Sequence, residues 1–207
     1  MRRKSWEPPA PNLIQADVNF IKPGERGRAR EPLMSIRLVA AIAAICLSTS
    51  GAFAQNAGKP NDAQIAHIAY TAGQIDIKAA QQALTKSKNK DVREFATDME
   101  RDHKAVNEKA LALVKKLDVT PQDNDTSKAL SKQASGKSAE LAKLNGAAFD
   151  KAYIDNEVAY HKTVNDALQN TLIPSASNPE LKDLLTTGLK IFQGHQQHAE
   201  QVAGRLK

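Results

Sequence analysis

Cysteine is nearly missing from this 207-residue chain: the one present, Cys46, lies in a short apolar stretch near the N-terminus. That stretch reads as part of a cleaved leader, so the mature protein has no thiol for a disulfide or for nucleophilic catalysis. Stability must then come from an apolar core, which about 150 residues can supply. Aromatic residues are also scarce, at 4% of the chain. The six Phe and Tyr beyond residue 55 are scattered among mixed charges. A clustered basic face with stacking aromatics is absent, and nucleic-acid binding is excluded on that ground. Neither Gly-x-Ser-x-Gly nor a phosphate-binding glycine loop occurs, which removes the common hydrolase and nucleotide-binding classes. Cys-x-x-Cys-His is missing as well, so covalent haem attachment is not expected.

The first 54 residues differ in character from the rest. From Met34, Arg37 precedes an apolar run from Leu38 to Leu47 and a small-x-small site at Ala52-Phe53-Ala54, the three-part pattern of a secretory signal peptide. The run is roughly half the ~20 residues of a spanning helix, so no stable membrane anchor is expected after cleavage near Ala54. Residues 1–33 are Pro- and Arg-rich and read as a disordered extension or a mis-assigned translation start, with Met34 as the other candidate. Residues 34–54 are the signal peptide, 55–61 a linker and 62–207 the folded domain. Beyond residue 54 there are 21 Lys and Arg against 19 Asp and Glu, so the net charge falls from +6 to about +2. A periplasmic or secreted protein is the expectation.

The mature segment carries four helical patterns and no strand signal. Asn61 or Asp62 caps a first helix running to about Lys86, with Ile65, Ile68, Ala72, Ile75, Ala79 and Ala83 at helical spacing. After a Ser-Lys-Asn-Lys turn, a second follows the stripe Val92, Phe95, Ala96, Met99, His103, Val106, Ala110, Leu113 and Leu117, ending before Pro121. Residues 122–145 are polar, with a short helix expected over Ser127–Leu144 as a crossover or cap. A third long helix starts near Gly146 and runs to Leu172, stopped by Pro174, its inward line being Ile154, Val158, His161, Leu168 and Leu172. The fourth opens at Asn178-Pro179-Glu180, a cap followed by proline in the first turn, and continues to the end. The fold class is therefore all-α, an antiparallel four-helix bundle.

Three of the five histidines, His103, His161 and His195, fall in the apolar stripe of their own helix and point inward. Counted from the connecting turns at 1.5 Å per residue, Asp76, His103 and His161 share a level within about 3 Å, and His195 lies about 6–9 Å lower. Imidazoles and a carboxylate converging from facing helices are the material of a bundle-core metal site, because they bring lone pairs into a layer from which water is excluded. Asp76, His103, His161 and His195 are thus the candidate metal ligands. Glu100, three residues before His103, Glu157, four before His161, and His198, three after His195, flank them on the same helix faces. Nitrogen-rich ligation suits zinc or copper better than magnesium or calcium. Iron in the usual di-iron arrangement asks for more carboxylates than are present. The competing explanation is structural: buried histidines satisfied by Asp76 or Glu157 complete a polar core network.

Particular residue runs resemble a known family: Asp91-Val92-x-x-Phe95-Ala96-x-x-Met99 leading to Asp102-His103, Phe149-Asp150-x-x-Tyr153-Ile154 leading to Val158 and His161, and His195-x-x-His198-Ala199. Together, over about Asp62 to Leu206, they are similar to exported bacterial proteins grouped as domain of unknown function 4142, regarded as ferritin-like in fold. The resemblance implies the bundle and the importance of His103, His161 and His195, and it carries no activity. Two positions depart from it, Asp76 where Glu is common and Asn156 where relatives resemble a His-x-x-x-x-His pattern. Three functions are open at this point. The first is an exported bundle of unknown role holding zinc, copper or iron. The second is a non-enzymatic envelope or stress-associated interaction protein in which the histidines complete a polar core network; the Lys86–Lys90 run reads first as a solvated turn and only secondly as a contact to anionic envelope polymers. The last is an oxygen-handling enzyme suggested by Glu100-x-x-His103.

Overall fold

The computed structural model describes residues 58–206, and the expected extension, signal peptide and cleavage site lie outside them. The described residues are helical with no strand, and no helix among them is long and apolar enough to cross a membrane. The first helix, α1 (Asp62–Lys86), begins where the sequence places it. The Asn61 side chain accepts from the Gln64 amide at 2.9 Å while the Gln64 side chain accepts from the Asn61 amide at 3.1 Å, the reciprocal arrangement of a capping box. Asn89 then accepts from Asp91 and Val92 to start α2 (Lys90–Lys116) after a three-residue turn. Arg93 braces that turn by donating to the carbonyls of Leu84 and Ser87. At the other end of α2, Asp118 takes the left-handed conformation at φ 53°, and the Val119 amide reaches the Val114 carbonyl at 2.9 Å. This is a Schellman closure.

Helix α3 (Asp125–Ala142) starts two residues earlier than expected because Asn124, not a later residue, caps it with Ser127 as its reciprocal partner. Only Ser127 and Leu141 are buried in it. It runs along the outside of α1, where Gln82 donates to the Ser138 carbonyl and Lys86 to that of Ala142. This is the crossover: it returns the chain to the end of α1 from which α4 (Gly146–Ala167) sets out.

The third long helix does not stop at Pro174. A π-helical turn, Leu168–Leu172, carries it into a short helix α5 (Ile173–Ser175). Proline has no amide to donate and crowds the carbonyl four residues before it; the wider turn, in which Ile173 bonds back to Leu168, gives the ring room inside a continuing helix. The Asp62 carboxylate then accepts from Ser177 and Asn178, tying this connection to the start of α1. Asn178 caps α6 (Pro179–Arg205).

These ties fix the directions. The α4–α6 connection meets the start of α1, and Arg205, at the end of α6, pairs with Asp91 at the start of α2. Thus α1 and α6 run one way while α2 and α4 run the other. The core between them falls into two apolar clusters. One contains Phe95, Met99, Phe149, Tyr153 and Val202; the other contains Ile65, Leu168, Leu172, Leu185 and Phe192. Beyond His103 the α2 stripe is weaker than its spacing suggests: Val106, Ala110, Leu113 and Leu117 are only half-buried, and Asn107 is buried instead. Val158 and Ile75 are likewise half-buried. Their places toward the core are taken by Glu157 and by Asp76 and Ile77.

Candidate metal centre

Between the two apolar clusters lies a polar layer. α1 contributes Asp76, α2 His103, α4 Glu157 and His161, and α6 His195, all buried. One donor atom each from His103, His161 and His195 lies within 4.8 Å of the other two, and Asp76, Glu157 and His161 form a second group with the same spacing. The His103 ring is 5.8 Å from that of His161 and 5.3 Å from that of His195, centroid to centroid. The offset anticipated for His195 does not separate the rings. α4 and its continuation run to Ser175 rather than Leu172, which places His161 three residues, about 4.5 Å, further from the connection than assumed.

Hydrogen bonds decide which nitrogen of each ring is available. His161 Nδ1 stands 2.9 Å from the Glu157 backbone carbonyl. A carbonyl only accepts, so Nδ1 carries the proton and Nε2 keeps its lone pair. His195 Nε2 lies 3.0 Å from Asp102 Oδ2, and its Nδ1 is buried. His103 is stacked on Phe192, centroids 4.5 Å apart and planes within 8°; its Nε2 is 3.5 Å from Asp76 Oδ2, too long for a good hydrogen bond. Among the described residues, His161 Nε2, His195 Nδ1, both His103 nitrogens, Asp76 Oδ1 and both Glu157 carboxylate oxygens are buried without a hydrogen-bond partner.

So many orphaned atoms at one level are costly, about 1–3 kcal/mol for each unmet group. Burial settles their charge. Desolvation, with some help from Glu157, pushes Asp76 well above the usual carboxylate range, and desolvation raises Glu157 to about 8. Desolvation also holds His103 well below the usual imidazole range, His161 at about 4, and His195 below its ordinary value. Burial therefore disfavours charge on both His103 and Asp76 despite their ion-pair spacing. Burial thus favours neutral rings and protonated carboxyls in the metal-free layer.

The flanking residues divide. Glu157 joins the layer. Glu100 does not: its carboxylate faces outward, bonded by Lys104 at 2.7 Å and Gln81 at 2.9 Å, so the Glu100-x-x-His103 pattern is not assembled in the core. His198 also lies outside, its ring packed edge-on against Phe95 at 5.3 Å. Asp102 is the residue that spacing missed. It sits off the α2 stripe and half-exposed, and only the approach of α6 gives it His195 as a partner.

A family profile for a domain of unknown function, DUF4142, matches residues 47–202. The chain belongs to the DUF4142 family. Two solved structures share its fold. One is a DUF305 protein of Streptomyces coelicolor described as secreted, 10% identical, with a TM-score of 0.59 over 70% of this chain and 93% of its own. The other is a DUF305 fragment from Deinococcus radiodurans, 14% identical, with a TM-score of 0.60 over 72% of this chain and 99% of its own. At such identity the likeness concerns the helical fold alone. No curated protein matches the chain. The DUF4142 match includes all five residues of the polar layer.

Proposed function

We propose that this DUF4142 protein is an exported, periplasmic four-helix bundle of ferritin-like type whose core holds one divalent transition-metal ion. One observation carries the reading: nitrogen donors of His103, His161 and His195 converge, buried, with lone pairs that no protein group uses. The donor chemistry fits such an ion. Imidazole nitrogens suit zinc, copper or iron, and Asp76 and Glu157, once deprotonated, balance a charge of two so that the loaded layer is neutral in its low-dielectric surroundings. When bound, the ion supplies Lewis acidity or, for copper and iron, one-electron chemistry. The protein's own residues exclude water, fix the ring orientations and accommodate the charge. Export is supported by the leader pattern of residues 34–54. The outward position of Glu100 favours metal holding over a carboxylate-rich oxygen-activating centre.

The test uses the full chain, stripped with chelator, loaded with zinc, copper or iron separately and desalted before elemental analysis. About one ion per chain is expected for at least one metal; a trace occupancy for all three sinks the proposal. The second reading, a non-enzymatic interaction protein with a structural histidine network, is favoured by the bonds that His161 and His195 already make to Glu157 and Asp102. It predicts that His103→Gln lowers the melting temperature equally with and without metal. A zinc-dependent rise in melting that this substitution abolishes excludes it.

A further inference from the structure

We infer that Asp102 is a positioning residue for the candidate metal centre: by accepting from His195 Nε2–H it turns that ring so that Nδ1, not Nε2, faces His103 and His161. The inference rests on the metal reading above and specifies how its third ligand is presented. His195 Nε2 lies 3.0 Å from Asp102 Oδ2. Asp102 is in turn gripped by Arg101, whose Nε is 2.7 Å from Oδ1 and whose Nη2 is 3.1 Å from Oδ2. Arg101 also reaches Asp98 at 2.7 Å. A carboxylate gripped by an arginine on one side and facing a histidine on the other is ionised and can only accept. The ring nitrogen facing it must therefore donate, which fixes the tautomer and frees the Nδ1 lone pair inside the core.

The consequence is a mixed donor set. His161 offers Nε2, because its Nδ1–H is bound to the Glu157 carbonyl, whereas His195 offers Nδ1. Sequence spacing does not distinguish these cases, since both residues lie on inward stripes. The two orienting groups also differ in kind. A backbone carbonyl one turn away is fixed by the helix itself, but Asp102 comes from a different helix, α2, so the presentation of His195 depends on α2 and α6 staying in register. Removing Asp102 leaves Nε2–H without its acceptor. The ring is then free to turn about χ2, replacing Nδ1 with a carbon at the centre.

The experiment is long-range proton–nitrogen NMR on the metal-free full chain carrying nitrogen-15 histidine, together with zinc affinity of the same samples, for the wild type, Asp102→Ala, Asp102→Asn and the control His198→Gln. In the wild type His195 is expected as the Nε2–H tautomer. Asp102→Ala should mix the tautomers and weaken zinc binding about 10–100-fold, with Asp102→Asn, which retains an acceptor oxygen, in between and His198→Gln unchanged. The NMR readout tests orientation without metal, and Asp102 is half-exposed, so its loss leaves the core clusters intact. A wild-type His195 in the Nδ1–H form, or an Asp102→Ala protein with wild-type zinc affinity, overturns the inference while leaving the metal reading standing. Absence of zinc, copper and iron binding by the wild type overturns the metal reading, and with it this role for Asp102.

Discussion

Replacing Glu157 with methionine should stabilise the metal-free protein while damaging its loaded form. Glu157 is 1% exposed and both its carboxylate oxygens lack partners. Its pKa is raised to about 8 from 4.5. Between those values the folded protein keeps a proton that the unfolded chain has released, so stability falls as pH rises through the window. At pH 7.5 the three-unit gap sets an upper bound of about 4 kcal/mol, and relaxation around the site brings the expected cost to about 2 kcal/mol. Methionine matches the length of the side chain, favours helix and carries no charge to desolvate. Glu157→Met should thus raise the melting temperature in chelator by about 4–8 °C at pH 7.5. At pH 5 the gain should shrink to less than about 1 kcal/mol, because the unfolded carboxyl is then close to its own pKa of 4.5 and little of the linkage cost has built up. Added zinc, present at about 100 times its dissociation constant, should stabilise the wild type by about 2.7 kcal/mol and the variant by less. Thermal melts at the two pH values, with chelator and with zinc, give all four numbers. A variant less stable than wild type in chelator at pH 7.5, or equally improved at both pH values, would refute the reasoning.

Other outcomes follow from particular contacts. Gly73→Ala places a Cβ 2.4 Å from Asn107 Oδ1; Asn107 is buried between α1 and α2, so the substitution should cost about 1–3 kcal/mol in urea unfolding. Phe95→Ala removes a fully buried ring that packs against Tyr153 and His198 and should cost about 3–5 kcal/mol by the same assay. His161, held at about 4 by desolvation, should stay neutral down to pH 5 in an NMR titration of the metal-free protein. Because the unfolded imidazole takes its proton near 6.5, the stability contributed by His161 is intact above that pH and is lost as pH falls through 4. A His161 that titrates near 6.5 in the folded protein contradicts its burial.

The sequence by itself determined the helices and most of their boundaries. Caps such as Asn61 and Asn178 act through their own neighbours, and periodicity marks the buried face of each helix; both signals are local. It also marked His103, His161 and His195 as inward, because they occupy stripe positions otherwise filled by Ile, Leu and Phe. What it misjudged depended on the packing of segments distant in sequence. Pro174 reads as a stop, yet the π turn before it carries the helix on and moves His161 to the level of His195. Glu100, three residues before His103, and Glu157, four before His161, each share a helix face with a histidine, but Glu100 finds Lys104 and Gln81 outside while Glu157 is enclosed. Asp102 gains its meaning only from α6. Which nitrogen of each ring faces the centre, and which carboxyls hold a proton, is set by partners and exclusion of water supplied by other helices; such facts belong to the tertiary structure because electrostatics in a dry interior depends on everything packed around a group, not on its place in the chain.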